Sequence, residues 1–323
     1  MSGDEDSSGW QLMESDPGVF TELLNKLGVP LQVDDLYSLD SETLGSMQPI
    51  HALIFLFKWV AGTDEKGGAE GTYDENFPGF FAHQVVNNAC ATLAVLNGLC
   101  NIPNIPMGKD LTDLVAFTTG MDPQTTGLTI TSSDVLREAH NSLSPPSAVS
   151  LDGLGLPKTA EEAYHFIVYL PLAGCLYELD GLKPWPVNHG TFSESGEGWL
   201  AKARDVINSR IATYPAGSIH FNLQALRADP LPTLQAELAT HHANGASYLE
   251  AQVLERIAME NEKKARWAFE NSLRRHNHVG LVHALLLALA KTGKLEEATV
   301  AAKQKMTERR QKIKEGKMDE DGW

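Results

Sequence analysis

The sequence predicts an α+β fold over residues 1–240 and an all-α extension over residues 241–323. Three observations predict it. Helical and strand patterns interleave as far as Pro230-Leu231-Pro232, only helical patterns follow, and the charge reverses in the same region. Residues 1–259 hold 12 basic and 32 acidic side chains, Glu260 to Lys317 hold 14 and 7, and Met318 to Trp323 add three negative charges, for a total of −16.

The first element is a helix at residues 17–27. Asp16 supplies the cap and Pro17 a first-turn residue, Phe20, Leu23, Leu24 and Leu27 repeat at helical spacing, and Gly28 ends the run. Ile50 to Trp59 is β-branched and aromatic and too short for an amphipathic helix, which predicts a buried strand. Thr63 to Pro78, rich in Gly, Asp and Glu, predicts an exposed loop. Ala91 to Leu96 is apolar nearly all round and predicts a buried helix, with Asn87 and Asn88 as candidate caps and Cys90 in the first turn.

Ser142 to Thr159 carries Pro145, Pro146, Gly153, Gly155 and Pro157 and predicts a long functional loop. Directly after it, Tyr164 to Leu170 and Cys175 to Leu179 form a strand pair joined through Pro171-Leu172-Ala173-Gly174. Alternation of Ile219, Phe221 and Leu223 with polar residues predicts a further strand. Helices are expected at Leu249–Arg275, Val279–Lys291 and Leu295–Lys314, broken at His276-Asn277-His278 and Gly293, with the domain boundary at His241-His242-Ala243-Asn244-Gly245.

With a pI of about 5.1 the molecule is not expected to bind nucleic acid or an anionic membrane. Three widely spaced cysteines, Cys90, Cys100 and Cys175, cannot build a disulfide framework and suit a reducing compartment. The acidic start Met1-Ser2-Gly3-Asp4-Glu5-Asp6 lacks the features of a signal peptide. The apolar runs Ile50 to Val60 and Val279 to Ala290 are shorter than the roughly 20 residues of a membrane-spanning helix. The expectation is a cytoplasmic and nuclear protein. His241-His242 and His276, His278 and His283 lack the spacing of a zinc helix, and neither a metal nor a cofactor is expected.

Cys90 is the candidate nucleophile, because the positive end of a helix dipole favours a thiolate. Cys100 and Cys175 have no such placement. Gln84, six residues upstream, is a neutral donor that can aim at a developing oxyanion together with the Cys90 backbone N–H. In the hairpin, residues 165 and 180 lie symmetrically about a turn centred between Leu172 and Ala173, so His165 is expected to face Asp180 directly. The order Gln, Cys, His, Asp is that of papain-like cysteine hydrolases.

Trp10 to Leu23, Gln84-Val85-Val86-Asn87-Asn88-Ala89-Cys90-Ala91-Thr92, Tyr164-His165-Phe166 and Tyr177-Glu178-Leu179-Asp180-Gly181-Leu182 together resemble the ubiquitin C-terminal hydrolases over nearly the whole chain. The resemblance implies a papain-like fold with a helical lobe and a central antiparallel sheet. It implies a nucleophile at Cys90, a general base and acid at His165, an orienting carboxylate at Asp180 and an oxyanion donor at Gln84. Residues 141–163 correspond to the family's crossover loop, under which the ubiquitin C-terminus threads. Asn271 to His278 and the helices beyond are similar to the extension of the proteasome-associated isozyme L5 subfamily. That extension docks a helical adaptor domain on the proteasomal ubiquitin receptor and, in some organisms, on a chromatin-remodelling subunit. The concentrated leucines Leu281, Leu285, Leu286, Leu287 and Leu289 are either that docking surface or the tail's own packing. The basic run Lys303 to Lys317 reads as a solvated helix face or as a surface for an acidic partner. The implied activity is removal of ubiquitin; the alternative is a scaffold subunit with a latent site.

Overall fold

The computed structural model describes residues 8–58, 71–144, 164–214 and 221–314. Seven strands among the described residues form one sheet: β1 (Leu31–Asp35), β2 (Ile50–Lys58), β3 (Thr72–Tyr73), β4 (Tyr164–Leu172), β5 (Cys175–Leu179), β6 (Val187–Thr191) and β7 (Phe221–Ala228). Their order is β1-β7-β2-β4-β5-β6-β3, and every neighbouring pair is antiparallel. This is the α+β architecture expected.

Side chains alternate across the sheet and feed two cores. Ala52, Ile54, Phe166, Val168 and Leu226 pack with α1 (Pro17–Lys26) and α3 (Cys90–Leu99). Leu53, Phe55, Phe57, Ile167 and Tyr169 pack with Leu44 of α2 (Ser41–Ser46) and Leu200, Ala203 and Ile207 of α7 (Trp199–Ile211). Ala91 to Leu99 of α3 are all buried, which is why its sequence carries no polar face. Asp16 caps α1 as expected, its Oδ1 accepting from Gly18 N at 2.9 Å and Val19 N at 3.2 Å. Three further helices, α4 (Lys109–Thr118), α5 (Pro123–Thr131) and α6 (Asp134–Asn141), complete the helical lobe.

The β4–β5 hairpin differs from the expected register. Leu172 pairs with Cys175 and Val168 with Leu179, so the turn centres between Ala173 and Gly174 and His165 is not directly opposite Asp180. Ala173 at φ 49° and Gly174 at φ 76° are both left-handed, the pattern of a two-residue type I′ turn. That turn follows the natural twist of the strands, and Pro171-Leu172 stays in β4. The displacement amounts to two residues, so the two side chains keep the same face and become diagonal neighbours.

Of the expected loop at Thr63 to Pro78, residues 63–70 lie outside the described residues, and Thr72–Tyr73 pairs with β6 as an edge strand. Trp59, Ile219 and His220 also lie outside them, as does all of the crossover segment beyond Ser144.

The division at 240/241 marks the last strand signal, but packing divides the chain at Arg275/His276. α8 (Pro230–Ala243) ends within the expected linker, where Gly245 takes φ 67°, and α9 (Ser247–Arg275) packs back against α8 and against α1. The Trp267 ring lies over Gly18, where a Cβ would approach it to 2.7 Å. Asn271 Nδ2 donates to Gly18 O at 3.0 Å and to Glu22 Oε2 at 2.7 Å. Lys263 reaches Asp34 at 2.8 Å, and Arg274 reaches Glu14 at 2.8 Å and Asp16 at 2.5 Å. Part of the basic charge of the tail is thus spent on the acidic body of the same chain.

The second unit holds α10 (Val279–Lys291) and α11 (Leu295–Lys314). α10 buries none of its residues, and Leu281, Leu285, Leu286 and Leu287 are all exposed. No helix among the described residues is long and apolar enough to cross a membrane.

Candidate active site

Cys90 is the first residue of α3, half-buried against the helical-side core. Neither Asn87 nor Asn88 caps the helix: Ala89 is the cap residue and contributes no side-chain bond. Asn88 instead adopts a left-handed φ of 62°, and its Nδ2 donates to Trp10 O at 3.1 Å. Asn tolerates this conformation better than most residues. The strained bend and its side-chain tether fix the approach to Cys90. The first-turn N–H groups remain directed at the site, a setting that favours negative charge.

His165 lies near the start of β4, paired across the sheet with Phe57, whose ring meets the imidazole edge-on with centroids 5.8 Å apart. His165 is 4% exposed and Asp180 3%. Its Nε2 donates to Asp180 Oδ1 at 2.6 Å, and the same oxygen accepts the Leu182 backbone N–H at 2.9 Å. The Cys90 thiol lies close enough to the imidazole to raise its affinity for a proton. Burial pulls the His165 pKa down, but the bonds and charges of Asp180 and Cys90 outweigh it and raise the pKa to about 9. The site therefore favours an imidazolium at neutral pH.

Gln84 is half-buried, and its backbone N–H donates to Gly181 O at 2.8 Å. That bond ties the amide-bearing segment to the turn that follows Asp180. A Cβ at Gly181 would lie 3.1 Å from Gln84 N and 3.3 Å from Gln84 Cβ, so the small residue permits the approach. Cys100, at the C-cap of α3, has its thiol pushed up to about 12 by burial, the opposite of activation. Cys175 sits beside the hairpin turn, as its sequence position implied.

The structure brings all four sequence-predicted residues together: His165 and Asp180 are hydrogen-bonded, Cys90 lies beside the imidazole, and Gln84 is attached through Gly181. The arrangement suits thiol attack on a carbonyl, with proton transfer through His165. Asn88, a cap candidate by sequence, instead shapes the approach to Cys90. The buried cluster of Glu178, Arg210, His189 and Tyr169 behind the site was not anticipated, because charged residues scattered over β5, β6 and α7 carry no local signature. Among the described residues no group of three or more His, Cys, Asp or Glu converges as a metal site.

Comparison with known proteins places the chain among relatives. A family profile described as "Ubiquitin carboxyl-terminal hydrolase, family 1" matches residues 10–212, and one described as "Ubiquitin carboxyl-terminal hydrolases" matches residues 251–295. Ubiquitin carboxyl-terminal hydrolase ubh-4 of Caenorhabditis elegans is 39% identical over 311 residues, covering 93% of this chain and 94% of its own. Ubiquitin carboxyl-terminal hydrolase isozyme L5 of Dictyostelium discoideum is 33% identical over 96% of this chain and 99% of its own. The crystal structure of Trichinella spiralis UCH37 bound to ubiquitin vinyl methyl ester covers 80% of this chain and 99% of its own, with 32% identity and a TM-score of 0.64.

Proposed function

The chain belongs to ubiquitin carboxyl-terminal hydrolase family 1, the thiol-dependent hydrolases of the ubiquitin C-terminus, and from that premise we propose that Cys90, His165, Asp180 and Gln84 carry the reaction. With Nε2 engaged by Asp180, the other ring nitrogen, Nδ1, takes the proton from Cys90. The thiolate attacks the carbonyl carbon of the C-terminal glycine of ubiquitin. Negative charge on the carbonyl oxygen is met by the Gln84 amide and the Cys90 backbone N–H. The imidazolium then gives its proton to the leaving amine, leaving ubiquitin as a thioester on Cys90. A water deprotonated by His165 attacks that thioester, releasing the ubiquitin carboxylate and restoring the thiol. Asp180 holds the ring in the tautomer and orientation that both transfers need.

The observation that carries this reading is the buried His165–Asp180 hydrogen bond beside Cys90, which opens a buried helix. Substituting Cys90→Ala abolishes turnover of ubiquitin bearing a fluorogenic C-terminal amide; retained turnover rejects the assignment.

Isopeptide conjugates and small adducts are the proposed substrates, in the cytoplasm and nucleus. The tail is proposed to recruit the enzyme to the proteasome through an adaptor domain. Support comes from the exposed leucines of α10, which lie within the segment matched by the second family profile. Capture by a proteasomal receptor domain is expected for the full chain and lost on deleting residues 276–323; equal capture by both refutes this role.

A further inference from the structure

Glu178, two residues before Asp180 on β5, turns its carboxylate into the protein interior, where it is 3% exposed. Its Oε1 accepts from Arg210 Nη1 at 2.9 Å, and its Oε2 lies 3.2 Å from His189 Nε2. Arg210, on α7 and 2% exposed, also reaches the Tyr169 hydroxyl at 3.4 Å and lies with its guanidinium carbon 4.3 Å from the centre of the Phe57 ring. Phe57 is the ring that meets His165 edge-on. The hydrolysis mechanism uses none of these groups.

An ion pair so deeply buried is a poor device for stability, because desolvating both charges offsets most of their attraction. Arg210 Nε adds to the cost, since it is buried without a hydrogen-bond partner. What the pair does supply is rigidity at two points of contact with the catalytic couple. It anchors the end of β5 from which Asp180 projects, and it backs the aromatic wall against which His165 stands.

We propose that the buried Glu178–Arg210 pair is a positioning device for the His165–Asp180 couple, acting on Asp180 through β5 and on His165 through Phe57. This inference rests on the catalytic assignment above. Burial would raise the Glu178 pKa, but Arg210 and His189 hold it down to about 2, so the carboxylate stays charged throughout the assay range and a changed pH profile reports on His165.

The test uses the full chain. The double substitution Glu178→Gln with Arg210→Met removes the pair without leaving one charge orphaned in the interior. Phe57→Leu keeps the pair and removes the wall, and Arg210→Lys keeps the charge. Steady-state hydrolysis of ubiquitin with a fluorogenic C-terminal amide, the pH profile of iodoacetamide alkylation at Cys90, and thermal melting are read for each. The double variant is expected to remain folded with kcat lower by on the order of 10- to 100-fold, KM within about twofold, and an alkaline limb displaced to lower pH. Phe57→Leu is expected to move both readouts in the same direction, and Arg210→Lys to fall between it and the wild type. Wild-type kcat and alkylation profile in a folded double variant overturn the proposal, as does a kcat that falls only in proportion to the folded fraction. If the double variant does not fold, wild-type kcat and profile in both Phe57→Leu and Arg210→Lys overturn it. The wild type and Cys90→Ser run alongside: absence of ubiquitin hydrolysis by the wild type defeats the catalytic reading, whereas unchanged alkylation in the variants defeats only the positioning role.

Discussion

Replacing Asp180 with Asn keeps the size and an acceptor oxygen for His165 Nε2 but removes the charge. Both side chains are almost fully buried, and the bond between them is 2.6 Å long. Burial alone would hold the imidazole below its ordinary 6.5; with Asp180 and Cys90 beside it the pKa stands at about 9. Loss of the carboxylate, the largest of the raising influences, should bring it back toward 6.5, at most about 3 kcal/mol against the imidazolium. A pKa back at 6.5 leaves only about a quarter of the imidazole protonated at pH 7, so kcat/KM on a fluorogenic ubiquitin amide should fall at least about fourfold. Iodoacetamide alkylation of Cys90 reads the same change without substrate, and its alkaline limb should move down from about 9. A variant with kcat/KM within twofold of the wild type and an unmoved alkylation profile would refute this use of Asp180.

The same shift has a consequence for stability. Because the folded pKa of His165 is raised, its contribution is complete just below pH 6.5 and is lost as pH rises through about 9. The melting difference between wild type and Asp180→Asn should shrink over that window, and a constant difference speaks against it. Gly18→Ala drives a methyl into the Trp267 ring, an overpacking cost of about 1–3 kcal/mol that exceeds the roughly 1 kcal/mol gained by Ala in a helix, so the melting temperature should fall. Truncation after residue 240 strips α9 from α1 and should lower the melting temperature by several degrees, whereas truncation after Arg275 should leave it near that of the full chain. Gly181→Ala pushes against Gln84 and should lower kcat more than it raises KM; a pure KM effect would place Gln84 away from the oxyanion.

The local settings of Cys90, His165 and Asp180 were legible in the sequence: a helix start, a hairpin strand, and a turn. The hairpin register was not. Counting from Pro171 treats four residues as the turn, while the left-handed backbone at Ala173 and Gly174 closes it in two, and only the even displacement left His165 and Asp180 on a shared face. The cap at Cys90 was misjudged because Asn88 spends its side chain on Trp10 O, a partner 78 residues away. Distance in sequence also hid the Glu178–Arg210 pair and the attachment of α9 to α1. Charge reversal and the end of strand signals coincided near 240, but the contacts of Trp267, Asn271 and Arg274 carry the first unit on to Arg275. Helices α4 and α6 bury only two residues each, and three of the four that α5 buries are Thr or Gly, so no long apolar repeat marks them.

The central claim is that Cys90, activated by His165, is the residue that bonds to the ubiquitin C-terminus. Its most direct test is reaction of the full chain with ubiquitin carrying a C-terminal vinyl methyl ester, followed by mass-spectrometric mapping of the adduct. The account predicts one ubiquitin per chain, attached at Cys90, with no adduct in Cys90→Ser and strongly slowed labelling in His165→Ala. Attachment at Cys100 or Cys175, or labelling of the Cys90→Ser variant, would contradict it.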